Sequence, residues 1–384
     1  MLFSTPPLTD DDRAVLAAID AHREAMRYSL SAPHRWVGTL ARQQRARDTV
    51  GSNSIEGIHV SREQALAIRA DSADLVEVDE DWLAVRGYSD AMTYARIMAD
   101  EGRDLTLPDL LALHFMTTAH DLGQRPGRLR LTDIYVQQEG SGRTVYTGPA
   151  PEEVDGLLDE LLSSLASNSP DEHPLVSAAM AHLNLVMIHP FSDGNGRMSR
   201  ILQSWRLYWD RLAEAAFVSV EEYLGRNTEA YYAVLAEVGA GRWAPERDAS
   251  PWLEFMLTAH YRQAMTIRRR IDVMEQVARR VDELIDTLAL PERAAAPLEF
   301  VLTDWRLTNA LYRDAAGVAR PTASRDLNLL TKAGVLVREG DKRGAAYSPS
   351  AELQQWVELT RRSARQRFDV AADPYRSLRR GRKL

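Results

Sequence analysis

The sequence predicts a mainly α-helical protein with two small β-hairpins. Three observations lead there. Met198, Ile201, Leu202, Trp205, Tyr208, Trp209 and Leu212 fall at i, i+3, i+4 and i+7 spacing, which marks one face of a helix. The β-rich stretches are short and come in two pairs, 134–136 with 144–146 and 334–339 with 345–347. Proline breaks fall at Pro245–Pro251 and Pro291–Pro297, leaving a long helical window between them. The 384 residues suffice for two or three structural units. With no cysteine, disulfides and Cys-metal sites are excluded, as fits a reducing compartment. No apolar run reaches the roughly 18 residues of a membrane span. Residues 1–7 carry no basic, apolar leader pattern, so the expected location is the cytoplasm.

Taken in order, residues 1–30, 33–56 and 61–100 read as helices of an N-terminal unit (1–100). Gly57 should end the second of them as a C-cap. Ser61-Arg62-Glu63-Gln64 reads as a capping box opening the third. A central core follows at 101–245. In it, Ile134-Tyr135-Val136 and Thr144-Val145-Tyr146 flank turn chemistry at Glu139-Gly140-Ser141-Gly142. Residues 246–296 form a helical connecting segment. Its runs Arg268-Arg269-Arg270 and Arg279-Arg280 read as solvated surface, and Pro291 and Pro297 bracket a short linker. Beyond it, 297–350 reads as helix, helix and hairpin, with the hairpin turn at Gly340–Gly344. Residues 351–384 form a basic tail, with Arg379, Arg380, Arg382 and Lys383 near its end. Charge is uneven: residues 300–384 hold 17 Lys+Arg against 9 Asp+Glu, in a chain of net charge −8. That asymmetry suggests an appended module with its own partner, separable from the rest near Leu290.

The chemistry concentrates at residues 189–200, His-Pro-Phe-Ser-Asp-Gly-Asn-Gly-Arg-Met-Ser-Arg. Gly-Asn-Gly is unfavourable inside a helix, where each glycine costs about 1 kcal/mol. Ahead of the amphipathic stretch it sits at a helix N-terminus, where free N–H groups and the macrodipole favour phosphate. Arg197 and Arg200 share a face of the first turn, where cations meet the positive end of the dipole. Two cations there imply an outside anion. Asp193 suits an N-cap or a Mg²⁺ ligand. The plainer reading is a glycine turn, a capping aspartate and solvent-facing arginines. His182, seven residues before His189, either supports the site or only packs. His114 and His120 read as core or surface residues, and no H-E-x-x-H cluster is present.

This run resembles the signature of the Fic family, H-x-F-x-(D/E)-G-N-G-R-x-x-R, at every fixed position. The resemblance implies a Fic-type helical core and transfer of AMP from ATP to a protein hydroxyl. It makes His189 the general base, Phe191 the loop anchor and Asp193 the Mg²⁺ ligand. Gly194, Asn195 and Gly196 become the phosphate cradle, with Arg197 and Arg200 clamping the outer phosphates. Ser52-Asn53-Ser54-Ile55-Glu56-Gly57 resembles the family's inhibitory motif, S/T-x-x-x-E-(G/N). That implies a Glu56 carboxylate competing with the γ-phosphate for Arg200. The hairpin resembles the flap that takes a target segment as an added strand. Gly127-Arg128-Leu129-Arg130 resembles the G-x-x-R entry to it. Residues 223–232 resemble the region beside adenine, which implies nucleotide contacts by Asn227, Tyr231 and Tyr232. Relatives often carry arginine where this chain has Thr228, and tyrosines at helical spacing also read as core.

Residues 297–350 resemble a winged helix-turn-helix. Thr322, Ser324, Arg325 and Asn328 would face a DNA major groove, or the module would dock a protein or a second copy of the chain. The expected partners are thus ATP with Mg²⁺, a protein bearing a Tyr, Ser or Thr hydroxyl (the chain itself included), a homodimer partner, and DNA through 297–350, with no membrane. Two classes of rival reading stand open. One is another transfer on the same fold: UMP, phosphate or phosphocholine transfer, or AMP removal with Glu56 placing a water. The other is a DNA-binding regulator whose Fic domain only senses nucleotide; an intact His189 argues against it.

Overall fold

The computed structural model describes residues 1–30, 33–69, 78–137, 142, 144–167, 172–209, 217–303, 306–340 and 345–380. The N-terminal helices are α1 (Asp10–Leu30), α2 (Arg35–Ile55), α3 (Arg62–Arg69) and α4 (Glu80–Asp100). Next come α5 (Leu107–Thr118), the hairpin β1 (Tyr135–Gln137) and β2 (Thr144–Thr147), then α6 (Pro151–Ala166), α7 (Pro174–Ile188) and α8 (Asn195–Trp209). They are followed by α9 (Glu221–Arg226), α10 (Thr228–Gly239), α11 (Ser250–Leu288) and α12 (Ala295–Leu302). The C-terminal part holds β3 (Leu307–Thr308), α13 (Asn309–Ala316), α14 (Arg320–Lys332), β4 (Leu336–Glu339), β5 (Ala346–Pro349), α15 (Ala351–Arg367) and α16 (Pro374–Arg379). The fold is mainly α, as the sequence predicts. Among the described residues no helix is long and apolar enough to cross a membrane.

Local chemistry sets the boundaries. Pro6 and Pro7 keep the first residues extended, and α1 starts only after Thr9. There the Asp12 carboxylate accepts the Thr9 N–H at 2.8 Å, and the Thr9 hydroxyl oxygen accepts the Asp12 N–H at 3.1 Å. The expected capping box is present: Ser61 N–H donates to Gln64 Oε1 at 2.7 Å, and Gln64 N–H to Ser61 Oγ at 3.1 Å. The stretch 61–100 is two helices rather than one. Asp79 caps α4 by accepting the Trp82 N–H at 2.8 Å. Gly57 takes φ +75° and ends α2 as expected. Leu212, the flap turn at 139–141, the wing turn at 341–344, and Arg382 and Lys383 lie outside the described residues.

Helix α7 is the axis of the central core. Leu175, Ala178, Ala179, Leu183, Leu185 and Ile188 are all buried, and α8 lies alongside it with Met198, Ile201, Leu202 and Trp205 buried. A helix apolar on nearly every face belongs at the centre of a domain. It fixes the α7–α8 loop, residues 189–194, against a rigid support.

Helices α2 and α9 touch backbone to backbone. A Cβ on Gly51 would come within 2.7 Å of the Glu221 carbonyl oxygen, and one on Gly225 would collide with the Gly51 carbonyl. Alanine in a helix normally gains about 1 kcal/mol over glycine. Here the collision with backbone decides the sign. Gly225→Ala should lose about 1–3 kcal/mol, read as a lower urea midpoint at unchanged slope. An unchanged midpoint would mean that the crossing opens freely.

The C-terminal part differs from the expected appendage. Strands β3, β5 and β4 form one antiparallel sheet in that order. The expected linker is helical from Glu292 onward, a short 3-10 turn running into α12, with Ala294, Ala295 and Leu298 buried rather than free. Leu298, Phe300 and Leu302 share a single buried cluster with Trp36 and Leu40 of α2 and with Ile271, Met274 and Val277 of α11. A cut near Leu290 would bare that cluster, so separability at this point is not a property of the fold. The arginine run on α11 is not simply solvated either. Arg270 is largely buried and bonds both Glu222 oxygens, at 2.5 and 2.7 Å.

Candidate active site

The site is the loop between α7 and α8. His189 closes α7 in the left-handed conformation, φ +51°, which costs a non-glycine residue roughly 1–2 kcal/mol. Surrounding groups hold it there. The Arg130 guanidinium donates to the carbonyls of His189, Thr132 and Pro149 at 2.9, 2.8 and 2.6 Å, and the Arg130 N–H donates to Pro190 at 2.9 Å. Asn195 clamps the same loop. Its Oδ1 accepts the Phe191 N–H and its Nδ2 donates to the Phe191 carbonyl, both at 2.9 Å. Phe191 is fully buried and stacks on His114 with centroids 3.7 Å apart.

The His189 tautomer follows from its partner. Nδ1 lies 3.1 Å from the Val186 carbonyl, which can only accept. The proton therefore sits on Nδ1, and Nε2 keeps its lone pair. Burial first, and the nearby Arg130 charge second among the lowering causes, push this imidazole down to about 4. It is neutral at pH 7.

The anion side begins one turn later. Gly194 takes φ +77°. Met198 N–H is bonded to the Gly194 carbonyl at 2.9 Å. The N–H groups of Asn195, Gly196 and Arg197 precede that bond, among the free donors of a helix start. Arg197 and Arg200 are not solvent-facing; they are 2% and 1% exposed. Arg197 donates to Asp193 Oδ2 at 3.1 Å and to the Thr117 carbonyl at 3.4 Å. Arg200 donates through Nε to Ser52 Oγ at 2.6 Å, and through Nη2 to the Ser52 carbonyl at 3.0 Å. Two buried donors, Arg197 Nε and Arg200 Nη1, find no acceptor among the described residues. An oxyanion at the helix start is the kind of ligand that satisfies such donors.

Glu56 reaches into the same space. Its Oε1 lies 2.7 Å from Arg200 Nη2, with side chains 24% and 0% exposed. A Cβ on Gly196 would strike that carboxylate, so the glycine leaves the room it fills. Burial works against the Arg200 charge, and Glu56, followed by Tyr231 and Tyr88, more than restores it, holding the guanidinium above its usual range.

The remaining expected nucleotide contacts divide. Tyr231 is buried, its hydroxyl 2.9 Å from His182 Nε2, so it sits in the core behind the clamp. The Asn195 side chain is spent on the loop, leaving only its backbone N–H for a ligand. Asn227 donates to the Tyr223 carbonyl at 2.8 Å. Tyr232 is half exposed and donates to the Ile55 carbonyl at 3.1 Å, tying α10 to the end of α2 beside Glu56. His182 supports the clamp helix, its Nδ1 bonded to Gln203 Oε1 at 2.6 Å. Asp193 is half exposed. Among the described residues no three His, Asp or Glu gather as a metal site.

Sequence reasoning read His114 as a core or surface residue; it is buried, and its bonds to the loop went unforeseen. The Gly127 N–H donates into its Nδ1 at 2.9 Å, so its proton is on Nε2 and goes to the Asp193 carbonyl at 3.1 Å. This ring positions both the loop anchor and the acidic residue. The one available signal was a histidine inside the apolar run Leu110–Met116.

Residues 104–207, which carry this loop and its supports, match the family model described as the Fic/DOC family. The chain therefore carries a Fic domain in a mainly helical fold. Its curated relatives include proteins named protein adenylyltransferase Fic. That of Nematostella vectensis is 27% identical over 206 residues, 52% of this chain and 45% of the relative. That of Drosophila melanogaster is 31% identical over 202 residues, 50% and 38%. That of Drosophila willistoni is 28% identical over 310 residues, 75% and 56%. The chain thus spans about half or less of the length of most of these relatives. Among solved structures, a Fic family protein from Desulfovibrio desulfuricans G20 shares the fold with TM-score 0.57 at 24% identity, covering 90% of this chain and 98% of that one. Fic-1 from C. elegans shares it with TM-score 0.53 at 22% identity, covering 69% and 73%.

Proposed function

We propose that this protein is a nucleotidyltransferase that moves AMP from ATP–Mg²⁺ to a Tyr, Ser or Thr hydroxyl of a protein, itself included, and that Glu56 holds it inactive. The observation that carries the reading is the pair of buried guanidinium donors without an acceptor among the described residues, beside a glycine-flanked helix start, with a carboxylate of the same chain bonded to the Arg200 guanidinium. The relatives' names supply the reaction class. His189 Nε2 takes the proton of the target hydroxyl. The hydroxyl oxygen bonds to the α-phosphorus, the bond to the β-phosphate oxygen breaks, and pyrophosphate leaves. The N–H groups of 194–197 and the two arginines take up the charge on the phosphates, where positioning and electrostatics supply most of the rate.

The residues fit a Mg²⁺ held chiefly by substrate. Asp193 is half exposed, Oδ2 alone bonds Arg197, and one or two carboxylates plus phosphate oxygens and water satisfy this ion. When bound, it would neutralise phosphate charge. Asp193→Ala should retain little transfer, and that remainder should not respond to added Mg²⁺. Full Mg²⁺-dependent activity in the variant would move the ligand elsewhere. The exposed edge of β1 is read as the acceptor for an added target strand. Residues 297–350 are read as a winged helix that docks a protein, a second copy of the chain, or DNA. In the DNA case, the exposed Arg325 and Asn328 of α14 would be the readers.

Mass spectrometry of Glu56→Gly protein after incubation with ATP and Mg²⁺ tests the reaction. A covalent AMP adduct is expected. An adduct with UTP but not ATP would change the nucleotide. No adduct, with loss of AMP from a pre-modified protein that requires Glu56, would make the chain a remover of AMP.

A further inference from the structure

A second basic site lies outside the catalytic loop. A cavity of about 300 Å³ opens where five helices meet. Arg47 comes from α2, Arg62 from α3 and Arg226 from α9. Helix α11 gives Arg269 and Arg270, and α15 gives Arg361 and Arg365. Among its described lining residues there is no carboxylate. Glu222 stands behind the wall, 2.5 Å from both Arg226 and Arg270, and Glu358 lies 3.7 Å from Arg365 at the rim. Seven guanidinium groups thus converge in a chain whose net charge is −8.

Such a gathering is unfavourable by itself. Burial, then the charges of Arg270, Arg62 and Arg226, push Arg47 down to about 9 despite Glu222. Burial and the neighbours Arg270, Arg365 and Arg226 lower Arg269 as well. The arrangement is concave, not a stripe along a convex face, and planar guanidinium forks match phosphate oxygens in pairs. The volume is at the small end of ligand pockets. We propose that this cavity binds a small molecule bearing two or more phosphates, separately from the catalytic loop. With Glu222 and Glu358 set against them, the seven guanidinium groups still leave more positive charge than one phosphate would balance. A nucleic-acid backbone would need the charges laid out along a surface.

The probe is inorganic tripolyphosphate without Mg²⁺, added to the full-length protein and followed by calorimetry and thermal melting. Binding that weakens with salt and raises the melting temperature is expected. The Arg269→Ala/Arg365→Ala protein should bind at least tenfold more weakly. Without the anion it should melt no lower than the parent, because like charges have been removed. If the double variant does not fold, Arg365→Ala alone, at the exposed rim, should still weaken binding severalfold. Binding that survives these changes but is lost in Arg200→Ala belongs to the catalytic loop and overturns the proposal. So does absence of binding at millimolar probe. A short DNA duplex that outcompetes tripolyphosphate, and depends on Arg269 and Arg365, would make the cavity part of a nucleic-acid surface instead.

Discussion

His189→Ala should lower AMP transfer by about 10²–10⁴-fold, the usual worth of a general base, while ATP affinity changes little. The imidazole bonds no phosphate-facing group; its Nδ1 is fixed on Val186 and its Nε2 is the free base. The loop should survive the change, because Arg130 and Asn195 grip its backbone rather than the ring. The pH dependence gives an independent readout. A base lowered to about 4 is active when neutral. In unlatched protein, kcat/KM should therefore hold level from neutral pH down towards pH 5 and fall as pH drops through the region of that value. An ordinary imidazole would show its acid limb near pH 6.5. Near-parental turnover in His189→Ala would remove this residue from the chemistry.

Glu56→Gly should raise transfer by about 10–150-fold. An exposed ion pair is worth about 0–1 kcal/mol, too little for a firm latch. This pair is different: Arg200 is fully buried and Glu56 is three-quarters buried. A hydrogen bond to a charged group in such a place is worth about 1.5–3 kcal/mol, and each 1.4 kcal/mol is tenfold. The measurement is the initial rate of AMP incorporation by the two proteins at equal ATP. Unchanged or lower incorporation would refute inhibition by this carboxylate and favour a part for it in AMP removal.

The site was legible in the sequence where chemistry is local. Twelve consecutive residues carried the histidine, the glycines and both arginines that the fold brings together, and the six from Ser52 to Gly57 carried the carboxylate that meets Arg200. The Ser61–Gln64 capping box placed a helix start for the same reason. What stayed hidden depends on residues distant in the chain. Arg130 braces a loop some sixty positions away, and His114 one nearly eighty positions away. The resemblance of residues 223–232 to the region beside adenine implies a nucleotide contact for Tyr231, whereas its helical spacing, which also reads as core, matches its burial. The arginines of α11 looked solvated because nothing local announces that α2, α9 and α15 bring their own to meet them. The C-terminal part looked detachable by charge, whereas its apolar residues share a core with α2 and α11.

Ser52 bears on how quickly the proposed Glu56 latch would open. It grips Arg200 from behind, through its hydroxyl and its carbonyl, and neither bond involves Glu56. When the carboxylate swings away, the guanidinium stays where a phosphate needs it. Opening of the proposed latch would then need only a side-chain rotation at the end of a helix, an event of nanoseconds to microseconds rather than a domain rearrangement. Activation by a target or by nucleotide should show no lag, and the closed and open forms should interconvert many times within one turnover.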